Sequence, residues 1–255
     1  MAIALMTGRT TEEYINLFEG LKRAMQNAGL PCQPQEFMLD FEAAAWGALR
    51  FSFPGTVIRG CGFHLAKCVR GKWRNLGLPH LAKFDRNLRK IYAKSQALRF
   101  LPAHKIPAAF RQIIKRRAAQ LYPAGHSVHA YLQYLESYWV SSMFYPPSNW
   151  SQFHCDLRTN NDLEGWHRGF NRKFGPIGRP SFFLFLEKAY GELTDARDLL
   201  NSGEYRRRTA ADTARNNASI DEIWQQFQRD EIGYIGVLEN IAALFGYEDA
   251  AATIN

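Results

Sequence analysis

The chain has 255 residues, 46% hydrophobic and 14% aromatic, which excludes a disordered polymer and allows a sizeable packed core. Its formal net charge of +8 favours a polyanionic partner, nucleic acid ahead of an anionic membrane surface. Four scattered cysteines (Cys32, Cys61, Cys68, Cys155) exclude a disulfide framework, and no apolar run is long enough for a membrane span. The apolar Met1–Met6 start is too short for a secretory signal, so a reducing, intracellular location is expected.

In chain order, Ala2–Thr7 reads as a buried strand, with Gly8 and Thr10-Thr11 as turn and helix cap. Glu12 and Glu13 suit the positive end of a helix dipole, and Tyr14, Phe18, Leu21 and Met25 recur at helical spacing to about Asn27. Glu36–Leu39 is the next strand and Phe41–Phe51 a helix ended before Pro54. Thr56–Gly60 makes a third strand and Phe63–Trp73 a third helix. This alternation predicts a parallel α/β sheet.

Beyond Leu78-Pro79 strand signals give way to aromatic-rich helices over Leu81–Ser95, Pro107–Tyr122 and His129–Ser142, punctuated by proline. Further helices are expected to start near Asn161 and to run from Ser181 to Asn201. Glu204–Ala218 reads as a polar, arginine-rich exposed connector, and Ser219-x-x-Glu222 as a capping box opening the last helical stretch.

Three motifs carry chemistry. Asp40 closes the apolar run Glu36–Leu39, at the carboxyl end of a strand, where parallel sheets bind ligands. Cys61-Gly-Phe-His64 follows about twenty residues later, and Glu164 stands in the helix start Thr159-Asn160-Asn161-Asp162-Leu163-Glu164. Carboxylates so placed suit divalent cations, which can activate one oxygen and stabilise another in phosphoryl transfer. Each has a structural alternative. Asp40 could cap the Phe41–Phe51 helix, and Glu164 could be the N3 member of a capping box on Asn161.

Cys61, His64 and Cys68 share one helical face if a helix begins at Cys61, but zinc would need a fourth ligand from Cys32, His154 or Cys155. Simple burial of the cysteines is the alternative. Basic clusters occur at Arg86/Arg89/Lys90/Lys94, Lys115–Arg117 and Arg206–Arg208. Arg168, Arg172 and Lys173, adjoining Glu164, are the preferred phosphate contacts, against the alternative of a solvated face. Trp166 could stack on a base or simply be buried.

Asp40, Cys61/His64 and Glu164, in this order and local context, resemble the catalytic core of the Mutator-like (MULE) transposases. The resemblance covers roughly Ala2 to Leu200 and extends to Ala4-Leu5-Met6-Thr7-Gly8 and Leu101-Pro102. It implies a ribonuclease H-like fold with an Asp-Asp-Glu triad, a helical insertion before the last acid, and metal-dependent cleavage and transfer of DNA strands. Asp40 and Glu164 would be the catalytic metal ligands, for Mg2+ or Mn2+. Transposon ends and target DNA would be the partners, a homo-oligomer is compatible, no membrane is involved, and the location would be nuclear. Asp40 is the first aspartate in the sequence, and no counterpart of the family's first acid precedes it. The expectation is therefore an N-terminally truncated, incomplete metal site, with a non-catalytic DNA-binding remnant or domesticated derivative as the alternative.

The expected organisation is a partial ribonuclease H-like α/β core over 1–75, a helical insertion over 76–157, a catalytic-helix region over 158–201, and a basic connector with helical tail over 202–255.

Overall fold

A computed structural model describes residues 2–175, 180–203 and 211–253. Its first helix, α1 (Thr11–Asn27), starts at a reciprocal cap: Glu13 N–H donates to the Thr10 hydroxyl, and Thr10 N–H donates to the Glu13 carboxylate at 2.8 Å. The expected strand at Ala2–Thr7 is absent. An apolar segment becomes a strand only with a hydrogen-bonding neighbour. Here Ile3 packs on an aromatic cluster and the Thr7 hydroxyl is drawn to Glu13 at 3.2 Å.

Strands β1 (Glu36–Leu39) and β2 (Val57–Gly60) form a parallel pair in the register Glu36–Val57 to Leu39–Gly60. Helix α2 (Ala43–Ser52) lies between them in sequence, and α3 (Gly62–Asn75) follows β2. The expected parallel α/β pattern thus holds, but most of the chain is helical and the sheet has two strands among the described residues.

The helices α4 (Leu78–Ala82) and α5 (Arg86–Ala97) replace the single helix expected from Leu81. Asp85 divides them by accepting the backbone N–H groups of Asn87 and Leu88, a stronger start signal than the periodicity running through it. Then come α6 (Ile106–Ala109), a π-helical turn over Phe110–Lys115 and α7 (Arg116–Leu121), one unbroken helical run. α8 (Ser127–Leu135) also ends in a π-turn, and α9 (Pro147–Trp150) is a single turn. The remaining helices are α10 (Asn161–Arg172), α11 (Phe182–Asn201), α12 (Ala211–Gln228), α13 (Tyr234–Leu244) and α14 (Tyr247–Ala250).

α12 overturns the connector expected to reach Ala218: Ser219 lies inside the helix, not at its cap. The pattern Ser-x-x-Glu is sterically acceptable within a helix, and no Gly or Pro in 211–218 stops the helix from starting earlier. Arg206–Arg208 lie outside the described residues.

Two compact units result. One comprises 1–35, 42–56 and 159–210; the other comprises 36–41, 57–158 and 211–255. In the first, α1 packs on α2: Tyr14 stacks on Phe18, Phe18 meets Phe53 edge-on, and the Lys22 ammonium sits 4.7 Å above the Phe53 ring. α10 and α11 bury Phe170, Phe174 and Ala189. In the second unit a larger core gathers α3, α5, the 106–121 run, α8 and the C-terminal helices. Two of its buried tryptophans are pinned by their indole N–H groups: Trp73 to the Ala251 carbonyl at 2.8 Å, and Trp224 to the Phe100 carbonyl at 2.9 Å. The chain's last helices are thereby part of this core.

Candidate functional site

Because β1 and β2 run parallel, the residues that follow them emerge at the same end. Leu39 pairs with Gly60, and Cys61 N–H continues the ladder to the Leu39 carbonyl at 2.6 Å. Asp40 therefore stands at the carboxyl edge beside Cys61, where α3 begins. That placement departs from the capping alternative: the N-cap of α2 is Glu42, not Asp40.

The corner after Asp40 is fixed by aromatic packing. The Phe41 ring meets Trp139 edge-on at 4.7 Å and Tyr145 at 5.3 Å, and the Tyr145 hydroxyl donates to the Phe41 carbonyl at 3.2 Å. Phe41 also lies against Gly60, where a Cβ would overlap its ring. A glycine is thus required at β2's last position for steric reasons.

Gly62 has the same kind of role. A Cβ there would overlap the Gln152 side-chain amide, which donates to the Arg158 carbonyl at 2.9 Å. Gly62 N–H donates to that same carbonyl at 2.9 Å, so an orphan donor at the start of α3 finds its acceptor in the loop before α10. Arg158 itself bonds Asn217 and lies over the Trp224 ring; burial pulls its guanidinium below the ordinary arginine value, opposed by Asp221. The sequence did not single out Gln152, Tyr145 or Asn149, whose side-chain amide donates to the Ile58 carbonyl of β2 at 2.9 Å. The paired glycines flanking Cys61 were the available signal of close approach.

Cys61 is buried at the cap position and is not the first residue of α3, so the one-face premise for Cys61, His64 and Cys68 fails at its first member. Cys68 is exposed as a residue, yet burial around its sulfur raises the thiol's pKa; Lys67 opposes this and the Asp40 charge adds to it. Cys155 lies near the Arg59–Glu36 ion pair of 2.6 Å that ties the two strands diagonally. Among the described residues no group of three His, Cys, Asp or Glu side chains is placed to hold a metal ion.

Glu164, Arg168, Arg172 and Lys173 belong to the other unit. Asn160 is the N-cap of α10, one residue earlier than the capping-box alternative needs. Glu164 is therefore the fourth helical residue, and the capping-box reading does not hold. Its i+4 and i+8 neighbours, Arg168 and Arg172, are exposed along the same side of the helix. Trp166 and Phe170 turn inward and stack at 5.1 Å, and the Trp166 N–H donates to Glu192 at 2.6 Å. Lys173 pairs with Glu192 at 2.5 Å, which raises its pKa and lowers that of Glu192. Arg168, Arg172 and Lys173 are all exposed, and Lys173 also ties α10 to α11 through its ion pair with Glu192.

Residues 1–68 match the family model of the MULE transposase domain. The matched segment contains Asp40, Cys61 and His64, together with both strands, and ends before α10. No curated protein and no solved structure matches the chain. No helix among the described residues is long and apolar enough to cross a membrane.

Proposed function

We propose that the chain is a Mutator-like transposase region that binds DNA and contributes Asp40 and Glu164 to metal-dependent strand cleavage within a ribonuclease H-like arrangement. The observation that carries this reading is the MULE transposase match over residues 1–68, in which Asp40 ends the first of two parallel strands at their carboxyl edge.

The donor chemistry fits the implied ion. Asp40 and Glu164 offer hard carboxylate oxygens of the kind Mg2+ and Mn2+ take, whereas Cys61 and His64 offer donors better suited to zinc. When bound, divalent ions would polarise the phosphoryl oxygens and lower the pKa of attacking water. The chain's own residues do the rest. The Phe41–Trp139–Tyr145 clamp holds the Asp40 backbone in place, and Arg168, Arg172 and Lys173 of the α10 end would grip phosphates and set the DNA's position without reading its sequence. The resemblance implies a third carboxylate, which residues 1–255 do not assign.

The second reading is DNA binding without cleavage. It needs only the basic surface: a formal net charge of +8 and the exposed Arg168, Arg172 and Lys173.

A cleavage assay on labelled duplex DNA in Mg2+ or Mn2+ separates the two. On the catalytic reading, cleavage appears once a third acid is supplied from outside residues 1–255, and D40N and E164Q each abolish it. Cleavage indifferent to both substitutions sinks the site assignment. DNA binding with no cleavage in any extended form establishes the second reading.

A further inference from the structure

Two basic clusters that the candidate site leaves unused meet across a cleft of about 470 Å3 in the second unit. Lys90 and Lys94, one helical turn apart on α5, form one wall. Gln112, Arg116 and Gln120, spaced four residues apart, form the other along the 106–121 helical run, with Arg117 beside them. Four cations line the cleft against one carboxylate, Glu239, which is already paired with Lys94 at 2.8 Å. Lys90, Arg116 and Arg117 have no ion-pair partner among the described residues, whereas Lys115 of the same basic run is taken by Glu136 at 2.5 Å. A concave surface of net positive charge focuses its field on an incoming anion more strongly than a flat solvated face does.

The lining is not basic alone. Ile235, 53% exposed, and the partly buried Ile113 supply apolar surface, and the two glutamines with Asn87 supply carboxamides able to donate or accept. Anionic contacts beside an apolar, amide-lined hollow match a nucleotide unit: phosphate on the cations, and sugar and base against isoleucine and amide. The π-turn at Phe110–Lys115 shifts the register of the second wall just before Arg116, and such turns are frequent at functional sites.

We propose that this cleft is a second nucleic-acid contact, which seats an unpaired nucleotide of a single-stranded segment with its phosphates on Lys90, Arg116 and Arg117. The inference rests on the reading that the chain acts on DNA, and adds to it a strand preference and a location separate from the α10 arginines.

The test is fluorescence anisotropy on residues 1–255 with a short labelled single strand, an abasic strand of equal length and a duplex, at several salt concentrations. R116Q/R117Q should weaken single-strand binding roughly tenfold or more and flatten its salt slope by about 1.4, from about 0.7 for each phosphate no longer neutralised. R116K/R117K should restore most of the binding, and R168Q/R172Q should act on the duplex instead. The abasic strand should bind less tightly than the intact one, and a free mononucleotide should compete poorly. Unchanged single-strand binding in R116Q/R117Q, with weakened binding in R168Q/R172Q, overturns the cleft and leaves the DNA-binding reading intact. Equal binding of the abasic strand, or a mononucleotide competing as well as the strand, removes the seated nucleotide of a strand. If the unaltered chain binds neither strand nor duplex, the proposed function fails along with the cleft.

Discussion

The unit that carries Asp40 and the unit that carries Glu164 hold their acids by different means. Around the first, Trp73 and Trp224 are buried and each donates its indole N–H to a backbone carbonyl more than a hundred residues away in sequence, while the buried Trp150 closes a local corner on the Tyr145 carbonyl. Around the second, α10 rests on a cluster whose buried members are Phe170, Phe174 and Ala189, and α11 leaves Phe183, Leu186, Tyr190 and Leu193 exposed. Local stability follows buried apolar contact, so the region around Asp40 is expected to open less readily than the one around Glu164. One acid is positioned by interlocked packing, the other by a helix with a thin footing.

The largest expected effect tests the dense side. Trp224 packs against Phe153 and His154 and closes the distance from α12 to Phe100, so Trp224→Ala should cost about 3–5 kcal/mol. In the unaltered chain, hydrogen exchange should be slower in α3 and α5 than in α10 and α11. In the variant the two regions should become similar. Equal protection from the start would remove the contrast altogether.

A smaller change sharpens the account of Asp40. Gly60→Ala places a methyl group where the Phe41 ring lies, and that ring is already held by Trp139 and Tyr145. Overpacking of this kind costs about 1–3 kcal/mol. Tryptophan fluorescence and thermal unfolding should both report it. An unchanged melting temperature would show that Phe41 is looser than its neighbours imply.

The smallest effect belongs to Glu192. Its carboxyl is held below the ordinary value of 4.5, first by the Lys173 bond and then by the Trp166 N–H, with burial opposing. A depressed carboxylate contributes its stability above the ordinary value and loses it as pH falls through the lowered one. Amide exchange in α10 should therefore quicken on acidification below 4.5, and Glu192→Gln should flatten that dependence. The shift is expected to be small, since Lys173 is exposed and the pair is screened. A pH profile unaffected by the substitution would show that Phe170 and Phe174 alone seat the helix.

Much of the local structure was legible in the residues. Glu36–Leu39 was read as a strand with both ends correct, α1 and its cap followed from Thr10-Thr11 and the acidic Glu12-Glu13, and Asn161 and Ser181 marked the starts of α10 and α11. These signals are short-range: a period, a cap, a breaker. The same rules misread Ala2–Thr7 and Ser219, because an apolar alternation does not say whether a partner strand is present and a capping pattern does not say whether the helix has already begun.

Order and context singled out Asp40, Cys61, His64 and Glu164, and the structure puts Asp40 just past a strand end, Cys61 at the cap of α3 and Glu164 in the first turn of α10. The sequence did not reveal how they are supported. Gln152 under Gly62, Tyr145 on the Phe41 carbonyl, Lys173 paired with Glu192 and the meeting of Lys90 with Arg116 each join segments separated by a loop or many residues. Periodicity fixes which side of a helix a residue occupies. Only tertiary packing decides what that side meets, because the contacts depend on how whole helices dock, and no pattern within a single element encodes that.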